Sequence, residues 1–342
     1  MDSNLNLNFS LPIDLSHLEN DRLRLVHLEE NLPEWAATYV ADANLHPQVY
    51  TYLTYGPFAS AEEYITHYDD TSRSNPDEIL LAILLKAGSI IRRKSSRAPR
   101  VRASEQTDTV LIETTIETET FAGIAGIVAQ PRNLIADIGQ LLLTPYHRTW
   151  VGTETNALLL HHLLDPPCPT FSQASDMPGP GSRPKHDEQL QAGLTGGLGL
   201  RRVQWQANAS NQASVNAALR LGFKLEGIMR WAAVLPWGKQ GDHGWRMTSL
   251  ERGNARIGDR NEKVAYGSVT SYGQEEDDRG QQDKGGNGVD DPDGERSLLP
   301  HGWDHGRAGQ HGPGRHTAML AICWDDWLLG GAREKLDALV GR

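Results

Sequence analysis

Cysteine is scarce in this chain: Cys168 and Cys323 are the only two, far apart and in dissimilar surroundings. They cannot build a disulfide framework or a cysteine-based zinc site, so a reducing compartment, the cytoplasm, is the expected location. Excess positive charge is missing too. A formal charge of -11 over 342 residues argues against broad binding to nucleic acid or to an anionic membrane, since both need a basic surface. No eighteen apolar residues run together, and Met1 to Leu11 has neither a basic start nor a long apolar stretch. Neither a spanning helix nor a secretion signal is therefore expected.

What is present alternates between patterned and patternless segments. The chain is 38% hydrophobic, yet it carries 34 glycines and 18 prolines, with a mean hydropathy of -0.50, as when ordered and loose stretches are averaged together. Its length suits two average domains or one domain with long insertions. Leu23 to Val26 reads as a half-buried strand and Leu32 to Ala43 as a helix; Ser60 is placed to cap a second helix running to about Tyr68. Ile79 to Leu85 has strand length and composition. Strand signals return at Thr109 to Glu113, Thr120 to Ala129 and Ala136 to Leu143, with a turn at Pro131-Arg132-Asn133. A helix follows over Val151 to Leu164, then a strand over Leu200 to Ala207, a helix over Asn211 to Leu221, and strands at Phe223 to Leu235 and Thr317 to Cys323. A last helix is expected from Asp325 to Leu339, with Asp325 or Asp326 as its cap.

Three segments break this pattern. Ser89 to Asp108 carries Arg92, Arg93, Lys94, Arg97, Arg100 and Arg102 among small residues, and reads as a solvated basic loop. No aromatic residue interleaves there to stack on bases, which disfavours a nucleic-acid site. Pro166 to Gly197 is rich in Pro, Gly, Ser and Gln without periodicity. In the third segment, Gly241 to Gly314, the stretch from Glu251 to Pro300 has twelve acidic residues against seven basic ones and too little apolar clustering to form a core. With these set aside, the remainder is a mixed α/β domain of ordinary size.

Two constellations carry chemistry. In Leu141-Leu142-Leu143-Thr144-Pro145-Tyr146-His147-Arg148-Thr149-Trp150-Val151-Gly152-Thr153-Glu154 a strand runs through a tight turn into a helix, and the helix start presents unpaired N–H groups to an anion. The motif is ambiguous in isolation. The second constellation is Gly199 to Trp205 followed by Asn211-Gln212-Ala213-Ser214 and Leu221-Gly222-Phe223-Lys224-Leu225-Glu226-Gly227. It resembles the strand, "N-x-x-S" helix, "L-G-F" and return strand of the GNAT N-acyltransferases. Ser214, Glu226-Gly227 and Arg230 look like the ribosomal-protein (RimJ/RimL-type) branch in particular.

The resemblance runs from about Leu18 to Trp237 and resumes at Arg315 to Trp327. It implies one GNAT domain over residues 18–327, interrupted at 89–108, 166–197 and 241–314, with a C-terminal helix over 328–342. The implied sheet is mostly antiparallel, flanked by helices and splayed at the cofactor site. The implied activity is transfer of an acetyl group from acetyl-CoA, the co-substrate, to a primary amine on a protein N-terminus or a small molecule. The alternative is a non-catalytic acyl-CoA-binding or interaction protein of the same fold. No membrane partner and no metal are expected. On this reading the pantetheine arm pairs with the backbone of Leu141, Leu142 and Leu143. The pyrophosphate sits on the turn formed by His147, Arg148, Thr149, Trp150, Val151, Gly152 and Thr153. Asn211 bonds the arm, and Ser214 donates to the departing thiolate. His147 stands where the family usually has Gln or Arg, and Arg148 and Trp150 where it usually has glycines; Trp150 fits such a turn only with negative φ.

Competing readings exist for each residue. Asn211 is also a good helix N-cap, Ser214 a small residue suited to a packed helix, and Gly222-Phe223 a helix terminator with a core aromatic. Asp137 and Glu226 are candidate general bases, although Asp137 can point to solvent and Glu226 can bridge to Arg230. His161 and His162 adjoin on one helix and diverge by about 100°, so packing and solvent are their expected roles, not metal binding. His301, His305, His311 and His316 lie in a Gly-rich stretch where any metal binding would be adventitious.

Overall fold

The computed structural model describes residues 9–95, 110–167, 196–236, 239 and 313–341. Their centre is a seven-stranded sheet of order β1-β2-β5-β6-β7-β9-β8. Its strands are β1 (Leu23–His27), β2 (Glu78–Leu85), β5 (Thr120–Gln130), β6 (Ile135–Leu142), β7 (Arg202–Asn208), β8 (Lys224–Val234) and β9 (Gly314–Cys323). All neighbours pair antiparallel except β6 and β7, which are parallel. A parallel pair needs a crossover, and helix α3 (Val151–Leu164) lies in the connection.

Alternation along the strands divides the apolar residues between two cores, one on each face of the sheet. On β2, Leu81, Ile83 and Leu85 enter one core with α3, α4 (Gln212–Leu221) and α6 (Ala332–Val340); Ala82 and Leu84 enter the other with α1 (Leu32–Leu45) and α2 (Ala61–Tyr68). The pairing register shifts between Ile83 and Leu84, which face Gly123 and Phe121, so β5 bulges at Ala122 while the alternation on β2 continues. Gly123 has φ +149°, and a Cβ there would lie 2.4 Å from the carbonyl oxygen of Leu141. Only glycine suits both the conformation and the approach.

Local chemistry fixes the element ends. The Ser60 side chain accepts from the Glu63 N–H at 3.3 Å, as its position before α2 predicts. The single helix expected from Asp325 to Leu339 is instead two: α5 (Trp324–Leu328) and α6. Gly331, at φ +76°, breaks it, and the Leu329 and Gly330 N–H groups turn back to the Asp325 carbonyl. The cap of α5 is Cys323, whose N–H donates to Asp326 at 3.2 Å.

The basic segment also departs from expectation. Residues 90–95 form β3 (Ile90–Ser95), which pairs antiparallel with β4 (Val110–Thr115) as a separate two-stranded sheet. Ile91 is buried, and Arg92 donates to Glu113 across the strands at 2.7 Å. A cross-strand charge pair and one apolar anchor outweigh the density of positive charge that suggested a loop. The rest of the patternless segments, residues 96–108, 168–195 and 241–312, lies outside the described residues, as do His301, His305 and His311.

His161 and His162 are both buried. His161 sits between Asp165 (2.9 Å) and Asp337 (2.8 Å) with the Trp327 ring edge-on, so it ties α3 to α6. His162 packs near His17, and burial lowers its pKa below the usual histidine value. Among the described residues no helix is long and apolar enough to cross a membrane.

Candidate active site

The parallel pair that organises the sheet is also where it opens. β6 and β7 pair only at Ile135↔Arg202, Ala136↔Val203 and Asp137↔Gln204. Beyond Asp137 the strands diverge, so the β7-facing edge of Ile138 to Leu142 has no strand partner among the described residues. An unpaired sheet edge is a template for an extended chain that can hydrogen-bond to it. The resulting cleft, about 640 Å³, is lined by Asp137 to Leu141 of β6, Trp205 to Asn208 of β7, and Asn211 and Ser214 of α4. Gly139 forms open floor, since a Cβ there would meet nothing within 4 Å.

At the far end of β6 the chain passes through a 3-10 turn at Thr144–Tyr146 into α3. Trp150 occupies the N-cap position with φ -68° and provides no side-chain cap. Its negative φ meets the requirement set by the sequence. The indole donates to the Ile90 carbonyl at 2.9 Å, and the Arg22 guanidinium lies 4.3 Å above the ring. Arg148, where the related pattern has glycine, adopts φ +60°, a left-handed conformation that disfavours its side chain by about 1–2 kcal/mol. The Val151 N–H is bonded to the Thr149 hydroxyl at 3.3 Å, while the Gly152 and Thr153 N–H groups have no acceptor among the described residues. Two free donors and the helix dipole therefore converge at this turn. Turn and cleft meet at Gln140, whose amide nitrogen would stand 2.8 Å from a Cβ on Gly152, and whose amide oxygen is buried without a partner.

The remaining residues singled out by sequence fall into distinct places. Leu141 lines the cleft; the Leu143 N–H is taken by Ala122 of β5 at 2.8 Å. The His147 ring contacts the Leu142 carbonyl at 2.9 Å. Asn211 acts as N-cap of α4, its side-chain oxygen accepting from the Ser214 N–H at 3.2 Å; its amide nitrogen makes no bond to a described residue. The Ser214 hydroxyl accepts from the Trp205 indole at 2.9 Å, which leaves its own hydrogen available to donate.

Asp137 lines the cleft and accepts from Gln204 (3.1 Å) and Gln206 (3.0 Å). Glu226 does not line it. It is paired with Arg202, not Arg230, through two hydrogen bonds of 2.6 and 2.5 Å, and Arg202 holds its carboxyl below the usual range. Because β8 bulges at Glu226 between Leu225 and Gly227, the side chain swings to the nearer cation on β7.

The opposite wall was not foreseen as part of a site. It comes from the aromatic segment ahead of β2: Tyr52, Tyr55, Tyr64, His67 and Tyr68, with Glu78 and Arg315 beside them. Burial drives the Tyr55, Tyr64 and Tyr68 hydroxyls far above the usual tyrosine range, so at neutral pH they are donors and not bases. The signal that could have found this wall is the density of tyrosines between Tyr50 and Tyr68. Among the described residues one group of metal-ligand types comes together, Cys323, Asp325 and Asp326. Lys224 and the α5 cap already occupy Asp326.

No protein-family model and no curated protein sequence matches the chain. Solved structures do. A GCN5-related N-acetyltransferase from Brucella melitensis aligns over 94% of this chain and 84% of its own, at 15% identity and a TM-score of 0.48. RimL, a ribosomal L7/L12 alpha-N-protein acetyltransferase, covers 66% of this chain and 91% of its own at 18% identity, with a TM-score of 0.38. Mycobacterium smegmatis RimJ in complex with CoA-disulfide covers 92% and 87% at 11% identity, with a TM-score of 0.40. In arrangement the chain is similar to GNAT acetyltransferases. Likenesses this distant concern the order and packing of elements alone.

Proposed function

We propose that this chain transfers an acetyl group from acetyl-CoA to a primary amine. The observation that carries the reading is the divergence of β6 and β7 beyond Asp137, which opens a cleft whose unpaired strand edge leads to the uncapped start of α3. These residues fit the co-substrate. The free edge of β6 suits the amides of the pantetheine arm, and the Gly152 and Thr153 N–H groups with Arg148 suit a pyrophosphate.

Acetyl-CoA supplies the activated acyl group. The amine nitrogen bonds to the thioester carbon, the carbon–sulfur bond breaks, and the amine gives up a proton while the thiolate gains one. Ser214, with its acceptor site filled by Trp205, donates to the departing sulfur. Asp137 is the carboxylate placed to receive the amine proton, directly or through water, and it is held in the cleft by Gln204 and Gln206.

One observation favours a second reading, an acyl-CoA-binding protein without turnover: the His147 ring already occupies the Leu142 carbonyl on the strand that would receive the arm. Thiol release from acetyl-CoA, measured against a panel of amines and peptides, decides between the two. Release above the enzyme-free rate supports the enzyme; CoA binding with no release supports the second reading.

A further inference from the structure

Arg315 is the only lysine or arginine among the residues lining the cleft. Its side chain makes no ion pair or hydrogen bond with any described residue, and its buried Nε has no partner among them. Two carboxylates, Asp137 and Glu78, line the same cleft and do not reach it: Asp137 is held by Gln204 and Gln206, and Glu78 by Ser72 at 2.9 Å. Other arginines packed against the sheet have an anion or an aromatic face, as Arg202 has Glu226 and Arg22 has Glu154 and Trp150. A desolvated guanidinium with no anion among the described residues is costly, and the cleft is where its anion can arrive.

The surroundings hold Arg315 firmly in place. It lies on β9 opposite Ala233, next to a bulge in β8 between Met229 and Ala233. In that bulge Trp231 takes φ +54°, its N–H donates to the His316 ring at 2.8 Å, and its indole lies over Gly314, where a Cβ would come within 2.1 Å of the ring. Gly314 and His316 therefore fix the backbone on both sides. Along β9, Arg315 shares a face with Thr317, Met319 and Ala321, and Ala321 is the partner of Gln204, itself the partner of Asp137. The guanidinium thus faces the cleft, at the open end of the divergence.

We infer that Arg315 binds an anionic group of the acceptor, and that the acceptor is a peptide amine with an acidic side chain at its second or third residue. Register sets the position. Leu320 of β9 is opposite Trp205, whose indole holds Ser214, and Arg315 lies five residues before it, about 17 Å along the strand. Arg315 and Leu320 stand on opposite faces of β9, so the side chain recovers only part of that span, and the anion sits on the order of 10 to 17 Å from the Ser214 hydroxyl. An extended peptide advances about 3.3–3.6 Å per residue, so the carboxylate of a second or third residue spans that gap and the α-carboxylate of a free amino acid does not. A singly charged carboxylate matches one guanidinium bidentately, whereas Asp137 and Glu78 repel a dianion. Burial lowers the Arg315 pKa, as expected of a cation desolvated ahead of its partner.

This inference rests on the acetyltransferase reading for its acceptor, and the test separates the two. Thiol release from acetyl-CoA is measured with peptides that carry Glu at position two, Glu at position three, or Gln at both, and with free glutamate. The wild-type protein is expected to favour a Glu peptide over the Gln peptide at least tenfold in kcat/KM, with free glutamate no better than the Gln peptide. That preference should fall to about one in Arg315→Gln and turn towards Lys peptides in Arg315→Glu. In parallel, titration calorimetry follows N-acetylated Glu and Gln peptides, the products, binding to the same proteins, with thermal unfolding to verify that each variant is folded. No thiol release with a Glu-over-Gln binding preference that vanishes in Arg315→Gln removes the enzyme reading and keeps the anion site. Equal affinities and rates for Glu and Gln peptides in the wild type, or a preference unchanged in Arg315→Gln, overturns the inference, as does equal use of free glutamate.

Discussion

The two helices that follow the parallel strands begin in opposite ways. α4, after β7, is closed by its own sequence: Asn211 caps it, and its amphipathic pattern buries only Val215, Ala218 and Leu221. α3, after β6, has a tryptophan where a capping residue would serve and two donors without acceptors among the described residues, yet it is buried almost all round from Glu154 onward. A helix so deeply packed does not need its cap for stability, so its first turn is free to serve a ligand. α4 packs one face and depends more on its cap. The lesson is that an uncapped start on a well-packed helix is a stronger functional signal than an uncapped start on a marginal one.

The sharpest way to break this contrast is to close α3. Gly152→Pro removes one of the two N–H donors that lack an acceptor among the described residues, and places ring atoms where even a Cβ would stand 2.8 Å from the Gln140 amide. CoA affinity, measured by calorimetry, is expected to fall at least a hundredfold; unchanged affinity in a folded variant moves the pyrophosphate elsewhere. Next in size is Ser214→Ala. If the hydroxyl serves the leaving thiolate, turnover falls about tenfold to a hundredfold, roughly 1.4 to 2.8 kcal/mol of barrier, with acetyl-CoA affinity nearly constant. Full turnover reduces Ser214 to a packing partner of Trp205.

Asn211 separates two roles by chemistry. Asn211→Ala deletes the cap and is expected to destabilise by about 1 kcal/mol in chemical denaturation. Asn211→Asp keeps a capping oxygen and loses the amide donor. Stability should be retained, and any drop in CoA affinity then measures a bond from the amide nitrogen to the pantetheine arm. The smallest effect concerns the burial of α3. His162 is desolvated and its folded pKa lies below the usual 6.5, so the unfolded chain takes up a proton that the folded chain refuses. Stability is therefore full above about pH 6.5 and declines as pH falls from there towards the lowered value. The melting temperature of His162→Leu should drop less between pH 7 and pH 5 than that of the wild type; parallel curves would show that His162 does not titrate on unfolding.

Much of this was legible in the sequence because local signals and packing agreed. Val151 to Leu164 was a helix by composition and is one; Ser60 caps where its spacing before Glu63 placed it; the pairing of β5 with β6 was readable from the turn at Pro131 to Asn133. Illegible features were those decided at a distance. The charge of Arg92 hid a strand because its partner, Glu113, comes from the far side of the hairpin. Glu226 was linked to Arg230, its neighbour in sequence, while a bulge turned it to Arg202. Arg315 carried no signal at all, because its meaning lies in having no partner among the described residues within a cleft built from several other elements. Asn211 and Ser214 were found from a pattern, yet only the coordinates distinguish the oxygen of Asn211, already engaged, from its nitrogen.

One feature of the sheet edge bears on how this chain tolerates change. β8 and β9 are neighbours paired up to Val234↔Gly314, and the Leu235 N–H donates to the Pro313 carbonyl at 2.9 Å. The chain thus leaves and re-enters the sheet through a single closed doorway, with residues 236–312 joining its two posts. Because the posts are already latched to each other, added length between them costs the sheet loop-closure entropy. That quantity grows with the logarithm of length, about 0.6 kcal/mol per doubling. Between β8 and β9 the sheet is therefore insensitive to added length alone, but Lys239 in that passage donates to the Leu53 and Tyr55 carbonyls of the cleft wall, so a replacement that drops Lys239 reaches the cleft.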